Sequence, residues 1–449
     1  MDSQELLALD RAHCWHPFTQ AQTAAPPLLI ERAAGAHLFA ADGRRYFDAV
    51  SSWWVNLHGH AHTRIAEAIA QQARQMEQVM FAGLTHAPAI ELAAALAARL
   101  PPPLQHVFFS DNGSTAIEVA LKMCVQYWAN RGRPRRRFLS LEGGYHGDTF
   151  GAMAAGRSSG FYGPFADWLF EVDVLPCAHG AWDTPDADLE AAERAALAAL
   201  DAYLSAHGDE LVAFVLEPLV QGASGMRMQR AAHVAALVRR VQAAGVPVIF
   251  DEVMTGFGRT GTLFACEQVG VAPDIICLSK GLTGGFLPMG ATVAQPHLYE
   301  AFLGESVERA LLHGHSYTAN PLGCAAALAS LRVFDEEATL ARIAAQGALH
   351  EELLRELAAH PLVRAPRRCG SIAAFDLRLS DAGYGSSAGQ WLRERMRERG
   401  VLLRPLGTSV YFIAPYCSSE DDFRAAYAAL REVLDAWPRG APAGASEHF

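Results

Sequence analysis

Val246-Pro247-Val248-Ile249-Phe250-Asp251-Glu252 is an apolar run of strand length that ends in two carboxylates, and Ile275-Ile276-Cys277-Leu278-Ser279-Lys280-Gly281 repeats the pattern with an amine at its end. Position 280 lies 29 residues beyond position 251 (280 − 251), room for one connecting unit and one return strand. The pattern therefore predicts two strands of one sheet that carry a carboxylate and an amine to the same edge. Outward from this pair, His106 to Phe109, Phe138 to Leu141 and Leu211 to Leu216 are further short apolar runs, separated by longer helical stretches. Such alternation predicts an α/β fold, a mostly parallel central sheet with helices on both faces.

The flanks read differently. Residues 1 to about 60 carry short strand-like pieces such as AHLFAADGRRYFDAV from Ala36, where Asp42-Gly43 marks a tight hairpin turn. ADLEAAERAALAALDAYL from Ala187 has good helix formers at helical spacing and predicts a surface helix. From about 336 the helical spacing returns in EEATLARIAAQGALHEELLRELAAH, followed by strand-like SIAAFDL, helical QWLRERMRERG, then VLLRPL and SVYFIAP. This predicts a smaller α+β domain over 336–437, which the N-terminal segment 1–60 joins, beside a large ligand-binding domain over 61–335. The stretch 438–449, PRGAPAGASEHF, has no periodicity and is expected to be frayed.

With 449 residues, 51% apolar and 19% charged, the chain can bury about two or three cores, which excludes disorder, collagen and coiled coil as descriptions of the whole. Its formal charge of −11, from 37 Lys and Arg against 48 Asp and Glu, gives no general attraction to nucleic acid or an anionic membrane. The one basic cluster, Arg131, Arg133, Arg135, Arg136 and Arg137, is broken by Gly132 and Pro134 and reads as a solvated turn. Eight cysteines without a Cys-x-x-Cys pair fit a reducing compartment and no metal site. Acidic residues Asp2, Glu5 and Asp10 at the start, and no apolar run near 18 residues, lead us to expect a soluble cytoplasmic protein without a secretory signal.

In an open α/β sheet ligands bind beyond the carboxyl ends of the strands. After HVFFS comes Asp111-Asn112-Gly113-Ser114-Thr115 and then a helical pattern, so small residues with free N–H groups meet a helix N-terminus, a ready phosphate site. Alone, that loop is an ordinary cap with Ser114 or Asn112 as the capping residue. After RRFLSLE comes Gly143-Gly144-Tyr145-His146-Gly147-Asp148-Thr149, where glycines let the backbone approach a ligand and Tyr145 offers a flat ring. An anion site, an aromatic face, Asp251 and Lys280 together meet the needs of pyridoxal 5′-phosphate. Two rival motifs match by pattern: Gly256 to Gly261 as G-x-G-x-x-G and Gly156 to Gly160 as G-x-S-x-G. Neither has the flanking strand and helix its chemistry needs, and no P-loop exists in the chain.

VIFDEVMTGFGRTG with Asp251, ICLSKGLTGG with Lys280, SDNGSTAIEVALK with Gly113 and Ser114, and LEPLVQG with Glu217 make the chain resemble the class III pyridoxal-phosphate aminotransferases over about residues 10 to 435. CWHPFTQ at Cys14, SSWWVNLHGH at Ser51, VMFAGLTHAPAIEL at Val79, YHGDTFGAM at Tyr145 and RPLG at Arg404 narrow the resemblance to the branch that aminates 8-amino-7-oxononanoate to 7,8-diaminononanoate in biotin synthesis. The resemblance implies a fold type I (aspartate aminotransferase-like) architecture and a homodimer with shared sites.

Position by position, it implies Lys280 as Schiff-base amine and proton shuttle, Asp251 as partner of the pyridine nitrogen, Gly113 and Ser114 at the phosphate, and Tyr145 stacked on the ring. It also implies a substrate pocket lined by Phe18, Trp53, Trp54 and Tyr145, closed by Arg404 on the acceptor's carboxylate. The partner chain would lend Gly314, His315 and Ser316, the last two at the cofactor. Two positions depart from the members that use S-adenosylmethionine as amino donor: Phe18 replaces a tyrosine, and His315-Ser316 replaces Pro-Thr. PFTQ, GASGM and HGHSYT resemble a branch that takes its amino group from lysine, whereas the doubled Trp53-Trp54 resembles the adenosylmethionine branch. The expected donor is S-adenosylmethionine, with lysine as the alternative. A class III transaminase of ω-amino acids or diamines, and a ligand-binding relative without turnover, are the other readings carried forward.

Overall fold

Period-two alternation inside the two deciding strands sets how the sheet is covered. In the computed structural model, which describes residues 1–379 and 387–437, Ile249, Ile275 and Cys277 share one buried cluster with Ala116, Ile117, Ala120 and Cys124 of the Gly113–Asn130 helix. Phe250, Ile276 and Leu278 belong to the cluster on the other face, with Val234, Leu237 and Val238 of the Ala231–Ala243 helix. Burying an aliphatic or aromatic side chain of this size stabilises by about 1.5–3 kcal/mol, so the alternation fixes both layers at once.

Among the described residues the largest sheet has seven strands, in the spatial order His106–Ser110, Gly290–Ala294, Ile275–Leu278, Val248–Asp251, Leu211–Leu216, Arg137–Leu141, Asp173–Leu175. Val248–Asp251 is parallel to both neighbours, as predicted for the central strands. Gly290–Ala294 runs antiparallel to both of its own. It has no counterpart among the predicted strands, because glycine and two alanines dilute the signal of Thr292 and Val293; a Cβ at Gly290 would meet Ser110 Oγ at 2.6 Å, so the close strand approach requires the glycine.

At the N-terminal end Ile30–Ala34, His37–Ala40 and Arg45–Asp48 form an antiparallel meander, turned at Gly43 with φ +81°, and Val401–Leu402 adds to it in parallel. Val363–Cys369, Ile372–Leu377 and Ser409–Phe412 make a third, antiparallel sheet. Val363–Cys369 escapes a pattern reading because Pro366 and three arginines occupy it, and its register slips between Arg364 and Arg367. The helical stretch predicted from Glu336 is the Thr339–Leu357 helix, set off from the preceding Pro321–Glu336 helix where Ala338 takes φ +49°.

The basic cluster differs from the predicted solvated turn. It is not a solvated turn throughout: Arg135 is buried, its guanidinium 3.4 Å from the Trp128 ring centroid, and it donates to the carbonyls of Gly208 and Leu211 at 2.9 Å. An aromatic platform and two carbonyl acceptors let a guanidinium leave water, which sequence spacing does not reveal. All eight cysteines are free thiols, and no helix among the described residues is long and apolar enough to cross a membrane. The segment 438–449 lies outside the described residues.

Candidate active site

Asp251 closes its strand opposite Cys277 of the parallel neighbour, so Lys280 emerges just beyond on the same sheet edge. Asp251 is 4% exposed; one carboxylate oxygen accepts from His146 Nδ1 at 2.7 Å and the other from the Val253 N–H at 3.1 Å. Burial opposes the charged form of His146, but the hydrogen bond and charge of Asp251 outweigh it and its pKa is raised. Glu217, at the end of the Leu211–Leu216 strand, accepts from the N–H groups of Tyr145 at 3.1 Å and Gly222 at 2.9 Å. Burial pushes its carboxyl up to about 7, helped by the charge of Asp251 against that of His146.

Burial also lowers the Lys280 ammonium from the ordinary lysine range, against the pull of Asp251 and Glu217 and with the push of Arg259. The effect raises the fraction of free amine, the form able to attack a carbonyl. Lys280 Nζ stands 5.2 Å from the Trp54 ring centroid, and the residue's own φ is +43°, a left-handed conformation that a side chain adopts only when its surroundings hold it there.

The glycine-rich start of the Gly113–Asn130 helix is capped by Asn112, not Ser114: the Asn112 side chain accepts from Thr115 N–H at 3.0 Å while Thr115 Oγ1 accepts from Asn112 N–H at 3.1 Å. Capping uses the third N–H of the first turn and leaves those of Gly113 and Ser114 for an anion. A Cβ at Gly113 would meet Val253 Cγ1 at 2.6 Å, and one at Gly147 would overlap Ser114, so the helix start, the strand end at Asp251 and the Tyr145 loop close on one another. Ser114 Oγ accepts from Thr149 N–H at 2.9 Å and lies 2.7 Å from Thr149 Oγ1. Tyr145 donates its hydroxyl to Asp148 at 3.0 Å and packs between Phe161 and Tyr162, with centroids at 5.7 and 6.1 Å.

A second group of predicted residues forms a wall. The Arg404 guanidinium lies 4.1 Å from the centroid of Trp53, whose ring meets Phe18 edge-on at 5.9 Å. Trp54 turns inward, its Nε1 donating to Tyr411 OH at 3.1 Å. The two tryptophans ride on a left-handed turn: Ser51, Ser52, Trp53 and Trp54 have φ of +48°, +44°, +69° and +72°. Each such residue costs about 1–2 kcal/mol, so this turn exists only because its neighbours hold it.

Gly314, His315 and Ser316 are not brought to this place within one chain. Ser316 O accepts from Gln78 at 2.6 Å, and nearby His313 and Leu312 meet Lys122 on the outer part of the Gly113–Asn130 helix. The rival motifs also resolve. Gly256 to Gly261 opens no long helix; the next is the five-residue Ala265–Val269, and Arg259 is buried, donating to the carbonyls of Ala414 and Asn56 at 2.9 Å. Gly156 to Gly160 follows the Phe150–Ala155 helix as a single 3-10 turn, with no strand before it.

These residues fit pyridoxal 5′-phosphate: a helix start with two donors left over, a buried carboxylate backed by a histidine, a buried amine and an aromatic face. Together they have the make-up expected of a fold type I pyridoxal-phosphate transaminase. Residues 18–434 match the family Aminotransferase class-III, and the chain belongs to that family, a pyridoxal-phosphate-dependent aminotransferase. It is 52% identical over 426 residues, 94% of this chain and 98% of the relative, to the adenosylmethionine-8-amino-7-oxononanoate aminotransferase of Synechococcus elongatus. The crystal structure of the like-named enzyme from Methanocaldococcus jannaschii superposes with TM-score 0.88 at 35% identity, over 96% of this chain and 99% of that one. An amine transaminase from an uncultivated Pseudomonas species in its PLP-bound form gives TM-score 0.86 at 31% identity, over 94% and 98%.

His146 and Glu217 are hydrogen-bonded directly to Asp251 and Tyr145, respectively, and are absent from the predicted site residues. Glu217 was findable: it ends the Leu211–Leu216 run just as Asp251 ends its own. His146 was not, since only the folded loop brings it to Asp251.

Proposed function

We propose that this chain transfers an amino group to 8-amino-7-oxononanoate, giving 7,8-diaminononanoate, with S-adenosylmethionine as donor, and that it works as a homodimer in the cytoplasm. The observation that carries the reading is the wall: an apolar face of Phe18 and Trp53 that ends in the Arg404 guanidinium suits an acceptor with a methylene chain and a terminal carboxylate. The names of the relatives support the same acceptor and donor.

Pyridoxal 5′-phosphate, when bound, supplies a carbonyl and an electron-withdrawing ring that let an amino group leave one substrate and join another. Lys280 would hold it covalently through Nζ and, once released, move the proton at the substrate carbon. Asp251, with His146 behind it, would keep the ring nitrogen protonated, and the N–H groups of Gly113 and Ser114 would take the phosphate. Tyr145 would cover the ring and exclude water. His315 and Ser316 of a second copy would complete the phosphate site, with Gly314 and Trp54 at the substrate, and Arg404 would grip the acceptor's carboxylate.

Phe18 supports lysine as the one competing donor, because a phenyl ring offers no hydroxyl to the polar groups of S-adenosylmethionine. A donor panel with 8-amino-7-oxononanoate as acceptor tests the reading. Product with S-adenosylmethionine is expected. Product with lysine alone would overturn the donor, and turnover of ω-amino acids without any amination of 8-amino-7-oxononanoate would overturn the acceptor.

A further inference from the structure

Four consecutive left-handed residues, Ser51 to Trp54, carry both tryptophans of the site, and none is a glycine. Trp53 faces the open side, where it meets Phe18 and Arg404, and Trp54 lies beneath Lys280 Nζ. Backbone bonds alone do not select this hand: Trp54 N–H to Val50 O at 2.8 Å and Val55 N–H to Ser51 O at 3.0 Å are bonds a right-handed turn would also make. The side-chain lock sits just before the turn. Asp48 is 1% exposed, and its Oδ2 accepts from Ser52 Oγ at 2.7 Å and from His60 Nε2 at 2.9 Å. His60 is itself pinned, exchanging backbone bonds with Gly35 at 3.1 and 2.7 Å, and Asp48 N–H donates to Ala36 O at 2.9 Å. The lock is thus anchored in the N-terminal sheet. His60 and Ser52 outweigh the burial of Asp48 and hold its carboxyl below the usual carboxylate range, so the acceptor is ionised and strong at neutral pH.

We propose that Asp48, backed by His60, is a positioning residue for the transamination: its carboxylate holds Ser52 so that the left-handed turn presents Trp53 to the acceptor and Trp54 to the amine of Lys280. Asp48 acts here only through the turn. The kinetic arm of the test rests on the aminotransferase function proposed above, whereas the spectroscopic arm does not.

The holoenzyme labelled with 5-fluorotryptophan, with Trp53 and Trp54 resonances assigned through Trp53→Phe and Trp54→Phe, should show one sharp fluorine line for each of the two residues. Asp48→Ala should shift or broaden both lines and raise the acceptor's KM at least about tenfold with a smaller change in kcat, since a misplacement of about 1 Å in a positioning group costs up to 10²-fold. Glycine adopts positive φ freely, so adding Ser52→Gly to Asp48→Ala should restore the two lines and most of the KM. A purely structural role for Asp48 would lower thermal stability without that rescue. Unmoved Trp53 and Trp54 lines in Asp48→Ala, or no recovery in the double variant, would overturn the proposal. If the wild type fails to aminate 8-amino-7-oxononanoate, the proposed acceptor falls while the fluorine lines still decide the role of Asp48.

Discussion

At the floor of the site, Asp251, His146, Glu217 and Lys280 sit on strand ends or the loop beside them, and the first three are joined to the chain by hydrogen bonds of 2.7–3.1 Å. At the wall, Phe18, Trp53 and Arg404 come from distant stretches and meet through ring faces, with Phe18 51% and Trp53 38% exposed. The floor is thus set by sheet register, which tolerates little change. The wall is set by side-chain contacts between loops, so its outward residues Phe18, Trp53 and Arg404 can change without disturbing the sheet register, while the strained turn beneath them reaches the floor through Trp54. Chemistry common to a family belongs in the first kind of place and discrimination between substrates in the second.

Asp251→Asn attacks the floor and should have the largest effect. The amide cannot balance His146 or hold a proton on a ring nitrogen, so turnover should fall by roughly two to three orders of magnitude, about 3–4 kcal/mol, while the cofactor stays bound. Steady-state rates with both substrates saturating check this.

Glu217→Gln separates the charge of the floor from its geometry. The folded chain holds the Glu217 carboxyl at about 7 against 4.5 for an ordinary glutamate, so the folded state takes up a proton that the unfolded chain has lost. The raised value contributes stability in full below about 4.5, and that contribution is lost as pH rises through about 7. Glutamine escapes the loss. Relative to wild type, Glu217→Gln should therefore gain up to about 3 kcal/mol between pH 5 and pH 8 in urea unfolding. A constant difference across that range would mean that the carboxyl does not titrate there.

Arg404→Ala attacks the wall. It should slow the acceptor half-reaction by about 10- to 100-fold, the worth of a charged hydrogen-bonded pair, and leave the donor half nearly unchanged. Single-turnover measurements of the two halves check this, and equal losses would place Arg404 with the floor.

Much of the floor was legible because it follows strand ends: apolar runs locate the strands, and the residue after each run is the candidate. That rule finds Asp251 and Lys280, and applied to Leu216 it also reaches Glu217. It cannot find His146, whose position depends on the path of a glycine-rich loop. The wall was reached only through resemblance, since nothing in the spacing of Phe18, Trp53 and Arg404 brings them together. The left-handed turn was invisible, because Ser-Ser-Trp-Trp contains no glycine to announce positive φ. The buried Arg135 was misread for a related reason: a guanidinium among prolines and glycines reads as solvated until Trp128 is found beneath it.

Lys280 is the amine at which the proposed cofactor would be held. Borohydride reduction of the yellow holoenzyme, followed by proteolysis and mass spectrometry, tests it directly. A pyridoxyl group on the peptide carrying Lys280 and loss of the visible band are expected. A pyridoxyl group on another lysine, with residue 280 unmodified, would contradict it.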